Sequence, residues 1–151
     1  MKIKLLLLLF TIASSVSVFI ACEKDHEHIS QNGETESHNM GQNCMNCHSV
    51  SGNNEHKFYV AGTVYDSTKT APLPNGKVEF YDAVSGGNLV LTLEVDGNGN
   101  FYTTNNINFG NGLHPKVISP NGQVKEMGSL TGNGGCGSCH GAGHPRIWVN
   151  N

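Results

Sequence analysis

The chain has 151 residues, 37% hydrophobic and only 14% charged, with 19 glycines, 5 cysteines and 8 histidines. That is the size of one domain, and the scarcity of charge beside abundant Gly and Asn excludes a helical bundle or coiled coil. A net charge of -3 gives no general attraction to nucleic acid, so the Cys and His content carries the chemistry.

The first segment has the form of an export signal. Lys2 and Lys4 precede an apolar run from Leu5 to Ile20, which stops at Phe19-Ile20-Ala21-Cys22. A small residue directly before Cys resembles the bacterial lipobox. The resemblance implies that residues 1–21 are removed and that Cys22 becomes the lipidated first residue. An uncleaved anchor helix is the alternative, since about 20 apolar residues span a bilayer. Both readings put the remainder in the bacterial cell envelope, periplasmic or at the cell surface, with the membrane as a partner through its anchor.

Residues 22–43 are polar, rich in Glu, His, Asn and Gln, and nearly free of large apolar side chains. Such a segment buries too little surface to offset its ordering entropy. It is expected to be a flexible, disordered tether that lets the body swing over several nanometres. A first Cys/His segment follows over residues 44–56.

Residues 57–130 read as short strands between turn residues. Phe58, Val60, Gly62 and Val64 alternate with Tyr59, Ala61, Thr63 and Tyr65. Asn75-Gly76 leads into Lys77 to Asp82, and Gly86-Gly87 into Asn88 to Val95. Asp96-Gly97-Asn98-Gly99 is a tight-turn signal before Phe101 and Tyr102, and is taken as a hairpin rather than a Ca²⁺ loop because Ile107 stands at the twelfth position. Lys116 to Ser119 and Gln123 to Met127 flank Pro120-Asn121-Gly122, and Arg146 to Asn150 is a last edge strand. Six or seven such strands predict a mainly β fold, a small antiparallel sandwich of prealbumin-like or Ig-like type. Short helical or irregular segments flank it, the second over residues 131–151.

Three stretches, Val60 to Asp66, Pro72 to Val78 and Asp96 to Phe101, resemble the carboxypeptidase-regulatory-like, transthyretin-related β-sandwich with its G-x-V-x-D, P-L-x-G-x-V and D-x-x-G-x-F pattern. The resemblance covers about residues 57–127. It implies a scaffold and carries over no catalytic residue.

Apart from Cys22, the cysteines form two identical arrangements, Cys44-Met45-Asn46-Cys47-His48 and Cys136-Gly137-Ser138-Cys139-His140. C-x-x-C-H is the attachment signature of c-type haem. Two thiols three positions apart reach both vinyl groups of one porphyrin, and the adjacent His meets the iron as proximal ligand. The motifs therefore predict two covalently bound haem c groups on Cys44, Cys47, Cys136 and Cys139, with His48 and His140 as proximal ligands. A thiolate zinc site and plain disulfides are the alternatives, and neither accounts for a His after each second Cys.

Distal candidates are taken in the order His56, His114, His144, His38, with Met127 a thioether alternative. His144 stands four residues after His140 and is not expected to reach the opposite face of the same haem. His26 and His28 read as solvated tether residues, and the lysines as scattered surface charge. With no substrate pocket in view, the chain is expected to carry electrons between extracytoplasmic donor and acceptor proteins. The rivals are a haem enzyme reducing a peroxide or an oxyanion, and a zinc- or disulfide-stapled binding lipoprotein without haem.

Overall fold

The computed structural model describes residues 28–49 and 56–151. The signal at 1–21, Cys22 and His26 lie outside the described residues. Among those described, no helix is long and apolar enough to cross a membrane.

Among the described residues, eight strands form two sheets. They are β1 (Val60–Tyr65), β2 (Lys77–Tyr81), β3 (Leu89–Glu94), β4 (Asn100–Thr103), β5 (His114–Ile118), β6 (Val124–Glu126), β7 (Gly134–Gly135) and β8 (Ile147–Trp148). One sheet runs β4-β1-β7, with β8 also on β1, and the other runs β3-β2-β5-β6. The mainly β, sandwich-like expectation is met. Val60, Val64, Val78, Phe80, Leu93, Val95 and Phe101 fill the space between the sheets, burying the apolar face of each as alternating side chains allow.

β1 organises the molecule. It pairs antiparallel with β4, Val60 opposite Thr103 through Thr63 opposite Asn100. Its other edge takes two short parallel partners in succession, first β7 at Val60 and Ala61, then β8 at Val64 and Tyr65. All six residues of β1 are buried. The alternation in its sequence predicts one solvated face, but that face is covered by the segments that carry the Cys/His motifs.

The disordered-tether expectation does not hold for residues 28–43. Ile29 bridges Thr103 on the outer edge of β4, and the Ser30 amide donates to the Tyr102 carbonyl at 3.1 Å. The Ser30 hydroxyl, fully buried, donates to the Glu94 carbonyl at 2.6 Å and accepts from the Tyr102 amide at 3.0 Å. Further on, the Asn98 amide group donates to the Ser37 carbonyl at 2.7 Å and that of Asn100 to the Ser37 hydroxyl at 2.9 Å. Backbone pairing and Asn side chains hold this segment, so its poverty in apolar residues does not free it.

The Asp96 turn also differs from expectation. Asp96 Oδ1 accepts from the Asn98 and Asn100 amides, both at 2.9 Å, which makes a tight turn. The chain then passes from β3 in one sheet to β4 in the other rather than folding back as a hairpin. The Gly97 amide donates to the Glu34 carbonyl, tying the turn to the N-terminal segment.

Candidate functional site

Both motifs fold into the same device. Cys44–Asn46 and Cys136–Ser138 are single 3-10 turns. In the first, the Cys47 and His48 amides donate to the Cys44 carbonyl at 3.2 and 2.9 Å; in the second, the Cys139 and His140 amides donate to the Cys136 carbonyl at 3.3 and 3.0 Å. Asn43 caps the first turn by accepting from the Met45 amide at 3.2 Å. A tight turn with Cys at its start and three positions on presents both sulfurs on one side, with the His next to the second.

The two imidazoles are held alike. His48 Nδ1 lies 2.9 Å from the His56 carbonyl, and His140 Nδ1 lies 2.7 Å from the Pro145 carbonyl. A carbonyl only accepts, so in each ring Nδ1 carries the hydrogen and Nε2 presents its lone pair, the state of a metal-binding histidine. The His48 ring also stacks on Phe58 at 4.3 Å between centroids, and Phe58 on Tyr102 at 4.9 Å.

Each motif lines a cavity. The first, of about 260 Å³, is walled by Cys44, Cys47 and His48 together with His28, His38 and His56. The second, of about 570 Å³, is walled by Cys136, Cys139 and His140 with Met127, His144 and Trp148. Both are on the scale of small-ligand and cofactor sites.

The motifs, far apart in sequence, meet on β1. The second is an excursion between β7 and β8, so pairing with β1 on both sides fixes it. Gly62 of β1 makes the room, since a Cβ there would stand 3.0 Å from the Cys136 Cβ and 2.7 Å from the Phe101 ring. The first motif comes to the same strand through the Gly41 amide, which donates to the Thr63 hydroxyl at 2.9 Å. The turns then touch, a Cβ on Gly135 coming 3.2 Å from Met45 Cγ.

Burial pushes the Cys136 thiol up to about 12, with neighbouring Cys44 and Cys139 adding to it. Burial likewise raises Cys44, with a smaller contribution from Cys47. The first sulfur of each motif is thus kept neutral. Cys136 and Cys139 stand as free thiols. Among the described residues, no three His, Cys, Asp or Glu side chains converge as metal ligands.

The distal candidates separate clearly. His56 stands at the first cavity, but its carbonyl orients His48 and its ring meets His28 edge-on at 4.4 Å. His114 is fully buried on β5 with Nε2 2.6 Å from the Met127 carbonyl, and lines neither cavity. Its position is set by strand pairing opposite Tyr81. The His144 backbone bridges that of His140, and their rings lie side by side with centroids 6.2 Å apart. His38 lines the first cavity together with His48, their ring centroids 6.1 Å apart and tilted by 45°.

Sequence reasoning missed two features. His28 lines the first cavity instead of standing in solvent. Lys125 and Arg146 reach the wall of the second cavity, where Lys125 Nζ lies 3.0 Å and Lys69 Nζ 5.1 Å from the Trp148 ring centroid, and Arg146 packs over Tyr65 at 4.5 Å. These three cations gather where scatter was expected. The lone Trp148 in a run with Arg146 was the signal available, since an aromatic face attracts cations.

The chain matches no protein-family model, no curated protein and no solved structure.

Proposed function

We propose that this chain is a small dihaem c-type cytochrome of the bacterial cell envelope, carrying single electrons between extracytoplasmic donor and acceptor proteins. One observation carries the reading: in both C-x-x-C-H turns the His donates through Nδ1 to a backbone carbonyl, which leaves Nε2 as the nitrogen available to a ligand. One such bond serves local packing; the same bond twice, on two identical turns with a cavity each, is what a ligand-orienting interaction requires.

The residues present fit haem c. Cys44 with Cys47, and Cys136 with Cys139, would supply the thioether links, and His48 and His140 the proximal nitrogens. When bound, haem supplies a one-electron iron couple. A thioether is neutral, so the sulfurs that burial holds neutral at Cys44 and Cys136 suit that link. The sandwich is the rigid support, and the motif resemblances quoted above are consistent with an accessory scaffold of the transthyretin-related kind.

Lipidation at Cys22 would tether the body closely. Residues 28–43 are stitched to the sandwich, so the link from Cys22 to His28 is six residues, with a reach of about 20 Å at most. Electron exchange would then occur near the membrane surface rather than over a wide swing.

A second reading, a haem enzyme reducing a peroxide or an oxyanion, rests on the second cavity. His144 pairs by backbone with His140, and among the described residues lining that cavity Met127 is the remaining thioether or imidazole. Spin state separates the two readings: low-spin iron throughout supports transfer, and a high-spin, cyanide-binding haem supports catalysis. The dihaem reading itself is tested by the intact mass of the mature protein from a host with c-type haem maturation. Two covalent haem additions are expected, and substituting Cys136 and Cys139 with Ala leaves one.

A further inference from the structure

We infer that His38 is the distal iron ligand of the first haem, so that this site is bis-histidine; the inference rests on the haem reading above. Two imidazoles on opposite sides of one iron, each nitrogen about 2 Å from it, hold their ring centres roughly 6 Å apart. The His38 and His48 centroids are 6.1 Å apart, tilted by 45°. Rotation about the metal–nitrogen bonds accommodates that tilt. Both rings line the cavity that Cys44 and Cys47 also line, where the macrocycle they would bond has to lie.

The other histidines of the two cavities are engaged differently. The His28 and His56 rings meet each other edge-on at 4.4 Å, and His56 serves His48 through its carbonyl. His144 has nearly the same ring separation from His140 as His38 has from His48, but its backbone pairs directly with that of His140. Neighbouring paired backbones lie about 5 Å apart, and a porphyrin between trans ligands has to part them by more than that. Its 6.2 Å is a side-by-side spacing.

His38 is also positioned to wait for the group. Asn100 on β4 donates to the His38 carbonyl at 3.3 Å and to the Ser37 hydroxyl at 2.9 Å. Asn98 holds the Ser37 carbonyl at 2.7 Å. The His38 backbone is thereby fixed to the rigid turn between the two sheets. Among the described residues no hydrogen bond engages the His38 ring.

The test uses the full-length holoprotein. His38→Ala should keep two covalent haems by mass and convert one of them from low-spin six-coordinate to high-spin in absorption and EPR spectra. Added imidazole should restore the low-spin form. His38→Met should shift that haem toward its reduced form roughly tenfold at a fixed potential, about 59 mV for one electron. Two haems that stay low-spin and unshifted in both His38 variants would overturn the assignment while leaving the dihaem reading intact. A wild-type protein without haem would remove both.

Discussion

Gly137 of the second motif lies against Asn43, the residue that caps the first: a Cβ on Gly137 would stand 3.0 Å from the Asn43 Cα and 2.9 Å from the Gln42 carbonyl oxygen. The neighbouring atoms are backbone and cannot rotate aside. Gly137 does not have a positive φ, so its lack of a side chain answers to space and not to backbone conformation. The two C-x-x-C-H turns pack backbone against backbone, so on the dihaem proposal the two haems would be neighbours.

Gly137→Ala should therefore force the turns apart without removing any bonding residue. Each haem should still attach, and the magnetic broadening that one oxidised iron imposes on the other in EPR should decrease. Sharp, independent signals already present in the wild type would contradict the contact between the sites.

Residues 28–43 are part of the body, and Ser30 is where this is most readily measured. Ser30→Ala removes a hydroxyl that donates to Glu94 and accepts from Tyr102, leaving the Tyr102 amide without its partner in a buried position. The cost is about 1–2 kcal/mol. Thermal unfolding should show a midpoint lowered by several degrees. An unchanged midpoint would return this segment to the status of a loose leash.

The raised Cys136 thiol gives a pH dependence in protein made without haem. Its folded value of about 12 lies above the ordinary 9.0, so the folded state binds the proton more tightly than the unfolded chain. The stability this contributes is fully present below about pH 9 and is lost as pH rises toward 12. Alkylation of Cys136, mapped by mass spectrometry, should be slow at pH 8 in folded protein, faster with each unit of rising pH, and ordinary in urea. Rapid labelling of folded protein at pH 8 would contradict the burial.

Much of this arrangement is legible in the sequence, for reasons that differ by residue. Val60 to Tyr65 and Lys77 to Tyr81 announce themselves by alternation, and Asn75-Gly76 by the left-handed φ of 63° that Asn75 adopts. The motifs are legible because their spacing is local: two residues between the cysteines, then His. β7 is not legible, since Gly134 and Gly135 have no side chains to alternate and are strands only because β1 offers an edge. Nor is the place of His38, which follows from Asn98 and Asn100 gripping a segment some sixty residues earlier. His56 ranks first by proximity to His48 in sequence, yet that proximity places its carbonyl, not its ring, against His48. Contacts of that range are set by the tertiary fold and leave no periodicity behind.

The most direct measurement is the pyridine haemochrome of protein matured in a c-type haem-competent host, with haem counted per chain, for the wild type and for Cys44→Ala/Cys47→Ala and Cys136→Ala/Cys139→Ala. The account predicts a c-type band at two haems per wild-type chain and one in each double variant. A colourless wild-type protein, or haem that extracts freely into acidified solvent, would contradict it and leave a β-sandwich whose cysteines serve structure alone.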